Sequence, residues 1–379
     1  MLDAKLAMRR RACRVLLVGG GTGGHISPLL AIVEALREMH LEVRLLFIGG
    51  RRGKEGELVP EAGLAFHAVP MDSLRDPDSR LALLGTLVSL PLAYLSALFR
   101  LIRERPNVAV TSGGAIALPV ILAARTLRVP VYLWAGDALP GRASRMLARF
   151  AQRIGVTFDQ ARGTFAAGKA TVTGTPIRAS LLKWKRDPAR SAMDVPGDAT
   201  LVVVTGGSQG SERVNEAISG ALPQLLQKSY VLHVTGESHI ARAKAREGTL
   251  PADLRMRYLP RAYLRDEMGA VLAAADLVVG RAGSSSIAEP LAFGTPLVLV
   301  PFGAAMEGHQ EANARAASEA GAAVIVRESQ LPDRLTTEIS GLLNDPARLA
   351  RMAESARKAG RPDAARDIAK AVFELGGCA

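Results

Sequence analysis

Short runs rich in Val, Leu and Ile alternate along the chain with longer stretches in which apolar residues return every third or fourth position. That alternation predicts buried parallel strands separated by helices, an α/β layered architecture. Strands are predicted to begin near Val15, Val43, Val108, Val131, Leu201, Val231, Leu277 and Leu297. Between Gly174 and Thr200 the periodicity lapses and Pro176, Pro188 and Pro196 stand among mixed charges, so a domain boundary is expected there. Each half repeats one unit: Val15–Val18 leads into GGGTGG, Leu201–Thr205 leads into GGSQG, and a helical pattern follows both. A strand, glycine turn and helix start present free backbone N–H groups at the positive end of a helix dipole, where an anion can be held. Two doubly wound Rossmann-like domains facing a cleft are expected.

One helical stretch differs. Leu81 to Phe99 carries no charge and is flanked by Arg80, Arg100, Arg103 and Arg105. Its length approaches a membrane span, but Gly85, Thr86, Ser89 and Pro91 weaken that reading. A buried core helix and a helix turning an apolar face to a bilayer are the remaining readings. Charge favours the second. Residues 1–180 hold 24 basic against 13 acidic side chains, whereas residues 181–379 hold 24 against 23, so nearly all of the +12 net charge lies in the first half. That half should face an anionic partner. Nucleic acid is disfavoured, because aromatic residues make up 4% of the chain and no helix-turn-helix or zinc-finger spacing occurs. The 379 residues give room for two cores. Cys13 and Cys378 stand at opposite ends without ligand spacing, so neither a disulfide framework nor a zinc site is expected and a reducing cytosol is the simplest setting. The apolar run behind Arg9-Arg10-Arg11 ends at once in glycines and reads as a first strand, not a signal peptide.

GGGTGGH (Gly19–His25) is the densest motif. Gly19, Gly21 and Gly24 satisfy G-x-G-x-x-G, yet the next strand ends in Gly49-Gly50-Arg51-Arg52 without the acidic residue an NAD ribose requires. An NADP enzyme, with Arg51 and Arg52 on the extra phosphate, stays open. Ser27 reads as an N-cap and Pro28 as the first helical residue, which puts His25 just ahead of a helix, as a general base or as a brace for the glycine turn. GGSQG (Gly206–Gly210) also fits G-x-S-x-G, and Ser208, Glu289 and His309 follow in hydrolase order, but that reading gives His25 no role. In RAGSSSIAE (Arg281–Glu289), Ser286 and Glu289 have capping-box spacing. Alternatively the N–H groups of Ser284 to Ser286 hold a diphosphate while Glu289 accepts hydrogen bonds from ribose hydroxyls. Within EGHQEANA (Glu307–Ala314), Gln310 and Asn313 share a helical face and offer amides to a polyhydroxylated ligand or to water. Asp76-Pro77-Asp78 reads as a turn, and no metal is assigned.

Taken together, GGGTGGH, GTPIR (Gly174–Arg178), GGSQG, RAGSSSIAE and HQEANA, in this order and spacing, resemble the MurG family over nearly the whole chain from Arg14. The resemblance implies a GT-B fold: an acceptor- and membrane-binding domain (1–177), a linker (178–199), a UDP-sugar domain (200–357) and a C-terminal helix (358–379). It implies a peripheral glycosyltransferase at the cytoplasmic face of the cell membrane, bound to an anionic surface. The implied reaction carries N-acetylglucosamine from UDP-N-acetylglucosamine, with inversion and without metal or cofactor, to undecaprenyl-pyrophosphoryl-N-acetylmuramoyl-pentapeptide in peptidoglycan synthesis. Carried over by position, His25 and Asp137 are the catalytic candidates, and Thr22, Gly23 and Gly24 bind substrate. Arg178 and Ser208 contact the nucleotide, Leu259 and Pro260 run past the uracil, and Ser284, Ser285 and Ser286 cap the diphosphate. Glu289 binds ribose, and Gln310, Glu311 and Asn313 meet the sugar. Two departures stand out. Trp134-Ala135-Gly136-Asp137 replaces the family's usual His-Glu-Gln-Asn, and Ala115 replaces an aromatic residue. A related transferase with another lipid acceptor, and a nucleotide-sugar-binding protein without turnover, are the alternatives.

Overall fold

The computed structural model describes residues 12–20, 23–39, 42–51, 53–71, 80–207, 210–303 and 308–378. Thr22 and Ser208 lie outside the described residues, as do Gly21, Arg52, Asp76-Pro77-Asp78, Gln209 and Glu307. The N-terminal sheet comprises β1 (Arg14–Val18), β2 (Arg44–Gly49), β3 (Ala65–Ala68), β4 (Val108–Thr111), β5 (Val131–Ala135), β6 (Arg153–Val156) and β7 (Ala170–Val172). The C-terminal sheet comprises β8 (Leu201–Thr205), β9 (Tyr230–Val234), β10 (Tyr258–Arg261), β11 (Leu277–Gly280), β12 (Leu297–Leu299) and β13 (Ala323–Ile325). Their orders are β3-β2-β1-β4-β5-β6-β7 and β10-β9-β8-β11-β12-β13, with every pairing parallel. All eight strand starts expected from hydropathy fall at or beside the observed ones.

Helices cover both faces of each sheet, which is why the central strands are apolar throughout. In β1, Leu16 and Val18 enter one core while Val15 and Leu17 enter the other, as a two-residue repeat demands. In both sheets the strand order reverses beside the strand that feeds the glycine turn, β1 against β4 and β8 against β11. Such switch points open a crevice at the carboxyl ends of the strands.

The last helix, Ala364–Leu375, returns to the N-terminal domain, where Ile368, Ala369, Val372 and Phe373 pack with Leu17, Leu29, Ile32 and Phe47. This return corrects the reading of the cysteines. Cys13 and Cys378 form a disulfide with their Cα atoms 5.7 Å apart, although 365 positions separate them in sequence. Spacing along a chain cannot reveal a pair that meets only because its two ends fold onto one sheet.

Residues between the sheets are packed, not loose. The helix Arg186–Ser191 places Arg190 in the C-terminal domain, where its guanidinium donates to the carbonyls of Ala274, Pro196, Gly197 and Ala199 and pairs with Asp276 at 2.6 Å. Asp276 also accepts from the Leu201 N–H at the start of β8. Removing one partner of a buried ion pair strands the other, so Asp276→Ala is expected to lower the unfolding free energy by about 3 kcal/mol. Urea denaturation measures this, and a loss below about 1 kcal/mol would show that the carbonyls alone satisfy Arg190.

Candidate active site

The C-terminal wall of the cleft starts at β11. Its chain leaves through Arg281-Ala282-Gly283 into the helix Ser284–Ala292, whose N-cap Gly283 has no side chain to cap the first N–H groups. The helix begins at Ser284, so Ser286 lies inside its first turn and not at the cap that the capping-box reading requires. The uncapped end therefore suits an anion. One turn further, burial pushes the Glu289 carboxyl up to about 7, while the charge of Arg178 pulls the other way. Arg178 stands at the entry to the helix Ala179–Leu182, 3.4 Å from Asp266, and its charge also acts on Glu34 of the N-terminal domain. Leu259 and Pro260 lie in β10 at the edge of the same sheet.

A partly buried ion pair that the sequence reading missed braces this wall. Arg281 meets Glu328 at 2.5 Å, donates to Ser211 Oγ at 2.7 Å and to the Val300 carbonyl at 3.2 Å, and stacks over Phe302. Burial raises the Glu328 carboxyl, but Arg281 overrides it and holds the group below its ordinary value. Glu328 also accepts from the Gly303 N–H. The loops after β8, β11, β12 and β13 are thereby fastened together. Arg281 was visible within its motif, whereas Glu328 carries no local signal.

The N-terminal wall is built around His25. The first helix runs Gly23–Met39, so Gly23, Gly24 and His25 form its first turn, which corrects the expectation of a start at Ser27. Pro28 comes early enough to forgo a single intrahelical bond. His25 Nδ1 lies 3.2 Å from the Ser112 carbonyl, and Ser112 Oγ donates to the His25 carbonyl at 2.8 Å. Because a carbonyl only accepts, Nδ1 carries the proton and Nε2 keeps its lone pair. Ser112 follows β4 and precedes Gly113 and Gly114, whose φ angles of +94° and +87° turn the chain away. That strand-end position was its sequence signal, and it was missed.

The two walls touch at a seam. Asn313, in the helix His309–Glu319, is fully buried. Its Oδ1 accepts from the Ala138 N–H at 2.7 Å, and its Nδ2 donates to Asp137 at 2.9 Å and to the Ala282 carbonyl at 3.1 Å. Asn313, expected at the sugar, thus also joins the two domains. His309 Nδ1 adds a bond to the Leu139 carbonyl at 2.6 Å. A Cβ on Gly136 would sit 2.9 Å from Ser284 Oγ, so the backbone there approaches the uncapped helix end. Gln310 spends its carbonyl oxygen on the Phe302 N–H at 2.9 Å and the Ala282 N–H at 3.3 Å. Glu311 pairs with Arg315 and Arg327. Behind the seam, Phe158, Val172, Ile287, Leu291, Ala316 and Ala320 line a cavity of about 370 Å³. No group of three or more His, Cys, Asp or Glu among the described residues could hold a metal ion.

Comparison with known proteins places this geometry. Residues 15–156 match the glycosyltransferase family 28 N-terminal domain and residues 201–368 its C-terminal domain. A UDP-N-acetylglucosamine--N-acetylmuramyl-(pentapeptide) pyrophosphoryl-undecaprenol N-acetylglucosamine transferase of Desulforudis audaxviator (strain MP104C) is 38% identical over 373 residues, covering 96% of this chain and 99% of its own. One of the same name from Salinibacter ruber is 39% identical, with 97% and 98% covered. The chain belongs to the MurG family. Its fold matches the crystal structure of Acinetobacter baumannii MurG with a TM-score of 0.77 at 24% identity, covering 96% of this chain and 99% of that one. A UDP-GlcNAc 2-epimerase from Neisseria meningitidis, bound to UDP-GlcNAc, matches with a TM-score of 0.67 at 14% identity, covering 95% and 100%.

Against the MurG family pattern, Trp134 has taken a packing role: it is buried and its Nε1 donates to the Gly174 carbonyl at 3.0 Å, holding the start of GTPIR. Ala115 lies partly buried against the N-terminal core.

The raised Glu289 carboxyl has a sign that can be checked. Between its ordinary value of 4.5 and about 7 the folded chain holds a proton that the unfolded chain has lost, so stability falls as pH rises through that window. Glu289→Gln, which cannot ionise, is expected to melt higher than the unaltered protein at about pH 8 and to match it near pH 5. Equal melting temperatures at both pH values would remove the buried-carboxylate assignment.

Proposed function

We propose that this chain transfers N-acetylglucosamine from UDP-N-acetylglucosamine to undecaprenyl-pyrophosphoryl-N-acetylmuramoyl-pentapeptide, the lipid I to lipid II step of peptidoglycan synthesis. The observation that carries the reading is the uncapped start of the helix Ser284–Ala292, with Glu289 one turn behind and Arg178 acting on it, together with a histidine on the N-terminal wall that the Ser112 carbonyl orients through Nδ1. The diphosphate lies at Ser284 to Ser286 and the ribose hydroxyls donate to Glu289, whose carboxylate form they favour. The uracil lies along Leu259 and Pro260, with Arg178 and Ser208 on the nucleotide. His25 Nε2 takes the proton of the acceptor's 4-hydroxyl as that oxygen attacks the anomeric carbon from the side opposite the leaving UDP, which inverts the configuration. Asp137, already accepting from Asn313, positions the closed cleft and is the second candidate for the proton. Thr22, Gly23 and Gly24 approach the acceptor, and Gln310 and Glu311 stand at the sugar side. Domain closure excludes water and limits donor hydrolysis.

Transfer of radiolabelled N-acetylglucosamine to purified lipid acceptors tests the reading. His25→Ala is expected to lower turnover about 100-fold or more, and Glu289→Ala to weaken donor binding about tenfold. Label reaching a different lipid and not the muramoyl acceptor would favour the second reading, for which Trp134-Ala135-Gly136-Asp137 and Ala115 speak. Donor binding without transfer to any lipid would make the chain a nucleotide-sugar-binding protein.

The acceptor's lipid requires a membrane, and no described helix is long and apolar enough to cross one. We propose peripheral binding at an anionic cytoplasmic leaflet through the helix Arg80–Glu104. Leu92, Leu95, Phe99 and Ile102 repeat at helical spacing and stand exposed, with Phe99 at 73%, beside exposed Arg103 and Arg105. Leu95→Asp with Phe99→Asp is expected to abolish sedimentation with anionic phospholipid vesicles without changing the melting temperature. Unchanged sedimentation would remove this helix from the membrane contact.

A further inference from the structure

Deep in the C-terminal domain, His233 of β9 is fully buried and both of its ring nitrogens are engaged. Nε2 lies 3.0 Å from Asn215 Oδ1 and Nδ1 lies 3.0 Å from Tyr258 Oη. The amide of Asn215 is oriented by its other end, since Nδ2 donates to the Thr235 carbonyl at 2.9 Å. Oδ1 therefore faces His233 and can only accept, so Nε2 carries the ring proton. Nδ1 is then the acceptor, and Tyr258 donates to it. Burial, which pushes His233 down to about 4, keeps the ring in this neutral form.

Each end of the relay abuts the proposed nucleotide site. Asn215 lies in the first turn of the helix Glu212–Leu225, directly behind the Gly206–Gly210 turn. The Thr235 carbonyl that receives the Asn215 amide lies where a Cβ on Gly210 would be, 2.2 Å away, and Gly210 has a φ of +79°. Gly210 thus rests on the carbonyl that the relay fixes. At the other end, Tyr258 opens β10 and precedes Leu259 and Pro260, with Pro260 in register with His233.

We infer that His233 is a positioning residue for the nucleoside diphosphate: through Asn215 and Tyr258 it sets the separation between Gly210 and the Leu259-Pro260 strand. The inference rests on the nucleotide reading above. His233 touches no part of the donor, so its loss should act on donor binding and spare turnover. A residue that only stabilised the core would move the melting temperature and leave affinity alone.

Calorimetric titration of UDP into the full chain tests this with three variants. Tyr258→Phe keeps the ring and removes one donor; His233→Leu removes both bonds; His233→Gln supplies an amide that can donate to Asn215 and accept from Tyr258. At the scale of one or two lost hydrogen bonds, Tyr258→Phe and His233→Leu are expected to bind UDP about tenfold more weakly, and His233→Gln to stay within about threefold of the unaltered protein. KM for UDP-N-acetylglucosamine should rise in the first two while kcat holds. Nitrogen NMR of the unaltered protein should report the proton on Nε2. Undiminished UDP affinity in a folded Tyr258→Phe, a fall in kcat at constant KM, or a proton on Nδ1 would each overturn the inference, and Tyr258→Phe decides it if His233→Leu does not fold. If the unaltered protein binds no UDP at all, the nucleotide reading fails and takes the inference with it, whereas binding unaffected by the variants fails the inference alone.

Discussion

A buried amide holds the two halves of this chain together at the point where they must cooperate. Asn313 belongs to the C-terminal domain, yet its carbonyl oxygen and one of its N–H groups are spent on Ala138 and Asp137 of the N-terminal domain. Burying an amide is tolerable only when its hydrogen bonds are met, so opening the seam exposes this group to water and closing it must recover the same bonds in one geometry. The bond from Nδ2 to the Ala282 carbonyl ties that geometry to the loop that begins the helix Ser284–Ala292. A polar contact thereby joins the N-terminal domain to the proposed diphosphate site, beside the apolar packing of Phe158 on the C-terminal core. Beside the cavity behind the seam, Gln160 adds a second bond between the domains by donating to Glu319 at 2.9 Å.

Charge is arranged around that joint in a consistent sense. The helix end at Ser284 and the guanidinium of Arg178 supply positive potential where a diphosphate leaving group would develop charge. The carboxylates nearby are buried or paired: Glu289 is raised by burial, and Glu328 is held ionised by Arg281. An anion therefore meets little opposing field. Within Trp134 to Asp137, Asp137 itself takes part in the seam by accepting from Asn313.

Much of this architecture was legible in the sequence, for reasons of burial. Strands covered on both faces, such as β1 (LLV) and β8 (LVVV), are continuous apolar runs, and both glycine turns stand where these strands end. The strands that escaped notice are short or interrupted: β7 and β13 span three residues each and β3 four, β6 contains Gly155 and β10 contains Pro260. At the site, composition and spacing pointed to Ser284–Ser286 and Glu289 because one short segment carries them all. Glu328 and His233 were invisible, since their roles depend on partners 47 and 18 positions away, and Ser112, whose partner is 87 positions away, was marked only by its place at a strand end. At Asn313 the residue type suggested a sugar contact, and the bonds of its amide to Ala138, Asp137 and Ala282 across the domains were not legible, since those partners lie far away in sequence.

Which of the two glycine turns receives the donor is the decisive matter, and amide hydrogen exchange with and without UDP-N-acetylglucosamine reads it directly. Donor held by the C-terminal domain should slow exchange at residues 206–215, 258–261 and 281–291 and, by closing the seam, at 136–141, while leaving 14–50 unchanged. Protection centred on the first turn and the helix Gly23–Met39, with the C-terminal segments exchanging as in the free protein, would contradict the placement of the donor on which the proposed chemistry rests.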